Sequence, residues 1–140
     1  MRILGYSKAM YATWLYFEAL RLLCDAGEGL NCHLEGRLIG LRQVLLTHGH
    51  TDHFTGLHNV LITRLRALQQ GDPLPTLEIA YPEGDRELDG YFDYLKRALL
   101  ARTPGLATVS AVAPGARFAL PGARGVSIEA FGVANRPPAV

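Results

Sequence analysis

Thr47-His48-Gly49-His50-Thr51-Asp52-His53 places three of the chain's five histidines and one carboxylate within six positions, His48 to His53. Imidazoles two residues apart on a turn can both point at one ion. Asp52 and His53, at the mouth of a following helix, can face a second. Nitrogen and carboxylate donors of this kind suit borderline-soft divalent metals such as zinc. The bland alternative is a polar turn whose histidines are merely solvated; the order His-x-His-x-Asp-His at a strand-to-helix junction argues against it. A pair of metals held there would lower the pKa of a bridging water and stabilise charge on an attacked carbonyl or phosphoryl oxygen.

Such ligands converge only if regular elements hold them, and the apolar periodicity supplies these. Arg2 to Gly5, Thr13 to Phe17 and Leu20 to Cys24 read as short strands, followed by the turn Asp25-Ala26-Gly27-Glu28-Gly29, whose glycines allow positive φ. Gln43 to Thr47 is a fourth strand, rich in Val and Leu, that feeds the histidine run. Leu57, Val60, Leu61, Leu65 and Leu68 recur at helical spacing between Phe54 and Gln70, and Gly71-Asp72-Pro73 ends that helix. Thr76 to Tyr81 is the next strand. A second amphipathic helix from about Glu87 to Arg102 carries Leu88, Tyr91, Phe92, Leu95 and Leu99 on one face, its aromatics being core rather than stacking platforms. Ala107 to Val112 and Val126 to Phe131 complete the strands, with Pro114-Gly115 and Pro121-Gly122 turning the chain around Phe118. Gly49 is expected to let the backbone turn between His48 and His50, and Gly56 to allow close packing where the helix starts. The arrangement is α/β.

The sequence has 140 residues, 49% of them hydrophobic, which allows one globular domain with a modest core. Apolar runs are too short to span a bilayer, and Met1-Arg2-Ile3-Leu4-Gly5 lacks signal-peptide anatomy, so a cytoplasmic protein without membrane association is expected. Cys24 and Cys32 form neither a disulfide framework nor a C-x-x-C motif. The net charge of +1 conceals an asymmetry: residues 1–93 carry eight basic and twelve acidic side chains, whereas residues 94–140 carry six basic side chains against Glu129 alone. A basic segment can lie along an RNA backbone or form an ordinary solvated face.

The His48, His50, Asp52, His53 motif resembles the hallmark of the metallo-β-lactamase superfamily. Within it the chain looks most like the ribonuclease Z branch, the endonucleases that trim the 3′ ends of tRNA precursors. The similarity lies in Leu23-Cys24-Asp25-Ala26-Gly27-Glu28-Gly29, in Leu46 to Leu57, and in the segments Leu4-Gly5 and Leu77 to Pro82. It covers nearly the whole chain, matched to the first half of a typical member. The resemblance implies the N-terminal half of an αββα sandwich, a mixed sheet with helices on one face. It implies a zinc-dependent hydrolase with two zincs per complete site, His48 and His50 on one and Asp52 and His53 on the other. Asp52 would also partner the attacking water, and Asp25 would support the metal loop from behind the ligands, its alternative role being a turn carboxylate. His33 and His58 have no place in the motif.

A complete site of that kind takes further ligands, and here the last histidine is His58 and the last aspartate Asp93. Asn135, after Glu129 to Ala134, stands where the next histidine would be. Residues 1–140 are therefore expected to form a partial, C-terminally truncated domain, inactive alone. Its sheet would bare an apolar face fed by Val44, Leu46, Ile79, Val126 and Ile128 or their alternating neighbours, and the chain would self-associate as a homo-oligomer. Two other readings stay open: a superfamily hydrolase acting on another phosphodiester, thioester or lactam, and a degenerate half-domain that only binds or assembles.

Overall fold

Parallel register explains how the two halves of the candidate site meet. In the computed structural model, which describes residues 1–133, β3 (Leu22–Cys24) pairs in parallel with β4 (Gln43–Leu45), Cys24 opposite Leu45. The loops that leave the carboxyl ends of these strands, starting at Asp25 and at Leu46, therefore emerge side by side. On one flank β2 (Ala12–Phe17) pairs antiparallel with β3, and β1 (Ile3–Lys8) pairs antiparallel with β2. On the other, β5 (Leu77–Pro82) and β6 (Ala107–Val112) continue the parallel run. The result is a mixed six-stranded sheet in the order β1-β2-β3-β4-β5-β6.

Side chains alternate across a strand, so the register sorts them into two faces. Tyr16, Leu23, Val44, Ile79 and Val109 form one row, and all but Val109 are buried. The helices cover that face. α2 (Leu57–Gln69) buries Leu57, Val60 and Leu61 completely, α3 (Arg86–Ala98) buries Leu88, Phe92 and Leu95, and both join one core with the sheet residues. Each such side chain contributes roughly 1.5–3 kcal/mol relative to exposure. Asp85 caps α3 through Leu88 N, with Glu87 and Asp89 in its first turn and Lys96 and Arg97 in its last, all matching the helix dipole.

The neighbouring row, Leu15, Cys24, Leu45, Ala80 and Ser110, faces the other way. Leu15 is 46% exposed there, so this face is open at β2, whereas Ala80 of β5 is buried. Val44, Leu46 and Ile79 thus lie on the helix side, and their alternating neighbours feed the open one. The segment from Val126 to Phe131 departs further from expectation. β8 (Ser127–Glu129) is not part of the large sheet: it pairs antiparallel with β7 (Arg117–Ala119), Phe118 opposite Ile128, in a separate two-stranded sheet. The turns at Gly115 and Gly122, both at positive φ, fold this hairpin away from β6, so β1 and β6 are the large sheet's edges. Phe118 lines two cavities with Ala80 and Val112, which puts the hairpin over the open face near β5 and β6.

The segment after Gly29 had no predicted element. It forms α1 (Leu30–Leu34) and a 3-10 turn, Glu35–Leu38, with Leu30, Leu34, Leu38 and Leu41 all wholly buried. Arg64 of α2 is wholly buried against it. Its guanidinium donates to the carbonyls of Leu38 (3.0 Å), Ile39 (2.7 Å), Leu41 (3.0 Å) and Pro75. Burial lowers the Arg64 pKa to about 10, which leaves it a cation at neutral pH. Among the described residues no helix is long and apolar enough to cross a membrane.

Candidate metal centre

Leu46 N bonds to Ala80 O, extending β4 toward the histidine run, and residues Thr51–His53 then wind into a 3-10 turn before α2. The turn is anchored by backbone: Ala26 N donates to His53 O (2.6 Å) and Gly56 N to Ala26 O (2.8 Å). Two glycines permit this approach. A Cβ on Gly56 would collide with Gly27 O, and one on Gly27 with Thr13 N and with Ala12 Cα (2.9 Å). Gly29 is at positive φ, as the turn reading required, whereas Gly27 is present because nothing larger fits. The left-handed residue opening this turn is Asp25, at φ 59°, a conformation aspartate tolerates better than most side chains.

Asp25, 5% exposed, is the hub. Its Oδ1 accepts from Thr47 N (2.8 Å) and both its oxygens lie within 3.0 Å of Thr47 Oγ1. Its Oδ2 lies 2.8 Å from His53 Nδ1. A carboxylate only accepts, so that ring nitrogen carries a proton, and in the neutral imidazole the lone pair is then on Nε2. Thr47 Oγ1 also sits 2.9 Å from His48 Nδ1. Asp25 thus reaches two of the predicted ligands, one directly and one through Thr47.

The predicted ligands come together as two pairs. His48 Nε2 and His50 Nδ1 are 3.0 Å apart, and His53 Nε2 and Asp52 Oδ2 are 3.6 Å apart. Two donors about 2.0–2.1 Å from one tetrahedral zinc stand about 3.3 Å apart, so each pair has the spacing of neighbouring ligands. The His48 and His53 rings lie 4.1 Å apart between centroids, which brings the pairs into one cluster. Burial, then His53 and His50, hold the His48 imidazole below its ordinary pKa, favouring the neutral ring that can ligate. The donor chemistry therefore fits zinc. Among the described residues, however, no group of three His, Cys, Asp or Glu side chains is placed to hold an ion, so ligand spacing is met only within each pair. Asn135 lies outside the described residues.

His33 and His58 are apart from the cluster: His33 stacks on Tyr6 at 6.1 Å and tilts against Trp14 at 5.7 Å, and His58 is exposed on α2. Asp85 went unpredicted at this site. Its Oδ2 accepts from Gly49 N at 2.7 Å, and a Cβ on Gly49 would collide with Asp85 Oδ1 and with Glu87 Cβ (2.8 Å). Gly49 is thus required by close approach rather than by a positive-φ turn. The cap signature of Asp85, three residues before Leu88, was readable; its reach to a loop 36 residues earlier was not.

A cavity of about 590 Å³ opens beside His48. Leu45, Tyr81, Phe118, Ile128 and Phe131 line it, with Glu83 and Glu129 among its few charges.

The fold is of the metallo-β-lactamase type. The solved structure described as the metallo-beta-lactamase fold protein YhfI from Bacillus subtilis is similar at a TM-score of 0.56 and 17% identity, over 79% of this chain and 42% of that one. The present chain thus spans less than half the length of that structure's chain. No protein-family model and no curated protein matches it.

Proposed function

We propose that this chain carries part of the site of a zinc-dependent hydrolase of the metallo-β-lactamase superfamily, and that its substrate is the 3′ end of a tRNA precursor, as in ribonuclease Z. The observation that carries the metal reading is the pairing of donors at ligand spacing, 3.0 Å for His48 with His50 and 3.6 Å for His53 with Asp52, above a buried carboxylate. His48 and His50 would hold one zinc, and Asp52 and His53 the other. When bound, the metals would supply an activated water and stabilise charge on the attacked phosphoryl oxygen. Asp25 keeps the His53 proton on Nδ1 and so presents Nε2. Asp52 would orient the attacking water and take up its proton. The RNA substrate rests on the sequence resemblance, and the basic excess beyond residue 93 is compatible with it.

The apolar cavity beside His48 favours a second reading, in which the same site cleaves a small phosphodiester or thioester whose apolar group lies against Tyr81 and Phe118. Under either reading, two side chains per ion make zinc binding weak in the 140-residue chain, and activity alone absent or very low. Elemental analysis after mild chelation, with assays on a tRNA precursor and on bis-p-nitrophenyl phosphate, tests this. Less than one retained zinc per chain, restored uptake at excess zinc and loss of it in the His48→Ala, His50→Ala double variant are expected. No zinc uptake at any concentration would overturn the metal reading and favour a non-catalytic binding domain. Hydrolysis of the small diester but not of the tRNA precursor would replace the RNA reading with the second.

A further inference from the structure

The capping residue of α3 also holds the backbone between the two paired histidines. Asp85 follows the Pro82-Glu83-Gly84 turn, and its two carboxylate oxygens serve different elements. Oδ1 accepts from Leu88 N at 3.1 Å, closing the first turn of α3, and Oδ2 accepts from Gly49 N at 2.7 Å. The short second bond is the geometry of a charge-assisted hydrogen bond. α3 itself is fixed to the core by Leu88, Phe92 and Leu95, all wholly buried. Gly49 is buried although His50, next to it, is exposed. A helix rooted in the core therefore grips the peptide that joins His48 to His50.

We propose that Asp85 is a positioning residue for the His48–His50 pair: by holding Gly49 N it fixes the backbone that sets the separation of the two rings. Resting on the metal reading above, this assigns the orientation of that pair to α3, while Asp25 orients His53. Without the grip, the Gly49 amide is released to solvent and the two imidazoles must be ordered at the expense of binding. The missing Cβ of Gly49 belongs to the same contact, since an alanine there would displace the Asp85 carboxylate.

Asp85→Ser separates this role from capping. Serine is a good N-cap and can still accept from Leu88 N, but its single, shorter hydroxyl does not also span to Gly49. In the 140-residue chain we expect the melting midpoint of Asp85→Ser to stay within about 4 °C of the parent. Zinc affinity by titration calorimetry should fall by about ten- to a hundredfold, the range for removing a group that orients a ligand. Amide exchange at Gly49, followed by NMR in the metal-free chain, should accelerate about tenfold or more. Gly49→Ala attacks the contact from the other side and should lower zinc affinity similarly, with little further loss on adding Asp85→Ser. Zinc affinity within twofold of the parent and unchanged Gly49 exchange in Asp85→Ser would overturn the proposal and leave Asp85 a helix cap. If the parent chain takes up no zinc, the metal reading alone falls. Gly49 exchange then decides whether Asp85 holds the loop, faster exchange supporting it and unchanged exchange overturning it.

Discussion

Replacing Asp25 by asparagine should leave the fold standing while moving a proton across His53. Asparagine matches aspartate in size and tolerates the φ of 59° at this position. Its one oxygen can keep the bonds from Thr47 N and Oγ1, now 2.8 and 3.0 Å from Asp25 Oδ1. The amide nitrogen then takes the place of Oδ2, 2.8 Å from His53 Nδ1. An NH2 group donates, so Nδ1 must accept, and the ring proton shifts to Nε2, the atom that faces Asp52. Loss of one charge-assisted bond costs about 1.5–3 kcal/mol, or about 5–10 °C in melting midpoint at roughly 3.5 °C per kcal/mol. Asp25→Ala loses all three donors' partner and adds strain at positive φ, for about 3–5 kcal/mol. Zinc affinity at Asp52 and His53 should fall about ten- to a hundredfold in Asp25→Asn, because the ligating lone pair is now protonated. Nitrogen-15 NMR of the His53 ring reports the tautomer directly, and urea unfolding reports the stability. A ring that keeps its proton on Nδ1 in Asp25→Asn, with zinc affinity unchanged, would refute the reasoning.

Arg64→Met should destabilise the chain by about 4 kcal/mol in urea unfolding, since two buried and two part-buried carbonyls lose their donor, and Arg64→Lys should recover only part; a cost below about 1 kcal/mol would show that water replaces the guanidinium. Burial, with Asp25 beside it, pushes the Cys24 thiol from 9.0 to about 11. The unfolded chain therefore loses this proton first, and the Cys24 contribution to stability declines as pH rises from 9 to 11. Iodoacetamide at pH 8 should modify exposed Cys32 well before Cys24, as read by peptide mass spectrometry; equal rates would contradict the placement of Cys24. The open sheet face, with Ile3 at 50% and Leu15 at 46% exposure, should drive self-association, and a monodisperse monomer by light scattering would argue against a homo-oligomer.

Local pattern was legible where one element decides its own form. Leu57, Val60 and Leu61 announced α2, and Ala107 to Val112 has the predicted bounds of β6. Leu30 and Leu34 of α1 and Leu38 of the 3-10 turn after it were equally readable in their i, i+4 spacing, but the glycines around them obscured the pattern. Pairing partners were not legible. Val126 to Phe131 alternates as well for a hairpin with Arg117–Ala119 as for a seventh strand in the large sheet, and the turns at Gly115 and Gly122 decide between them. The ligand candidates were visible because they are contiguous. Asp85 and Arg64 act on partners 36 and about 25 residues away, distances at which a single sequence carries no spacing rule.

That contiguity has a thermodynamic side. His48, His50, Asp52 and His53 are neighbours along the chain, so they remain neighbours when it unfolds. A denatured chain offers an ion nearly the same local donors, and binding to it offsets binding to the native state. What the native state adds is not proximity but fixation, through carboxylates that reach the loop from residues 25 and 85. Zinc should consequently raise the melting temperature by less than its native-state affinity alone would give, and the difference between the two measures how far Asp25 and Asp85 organise the loop.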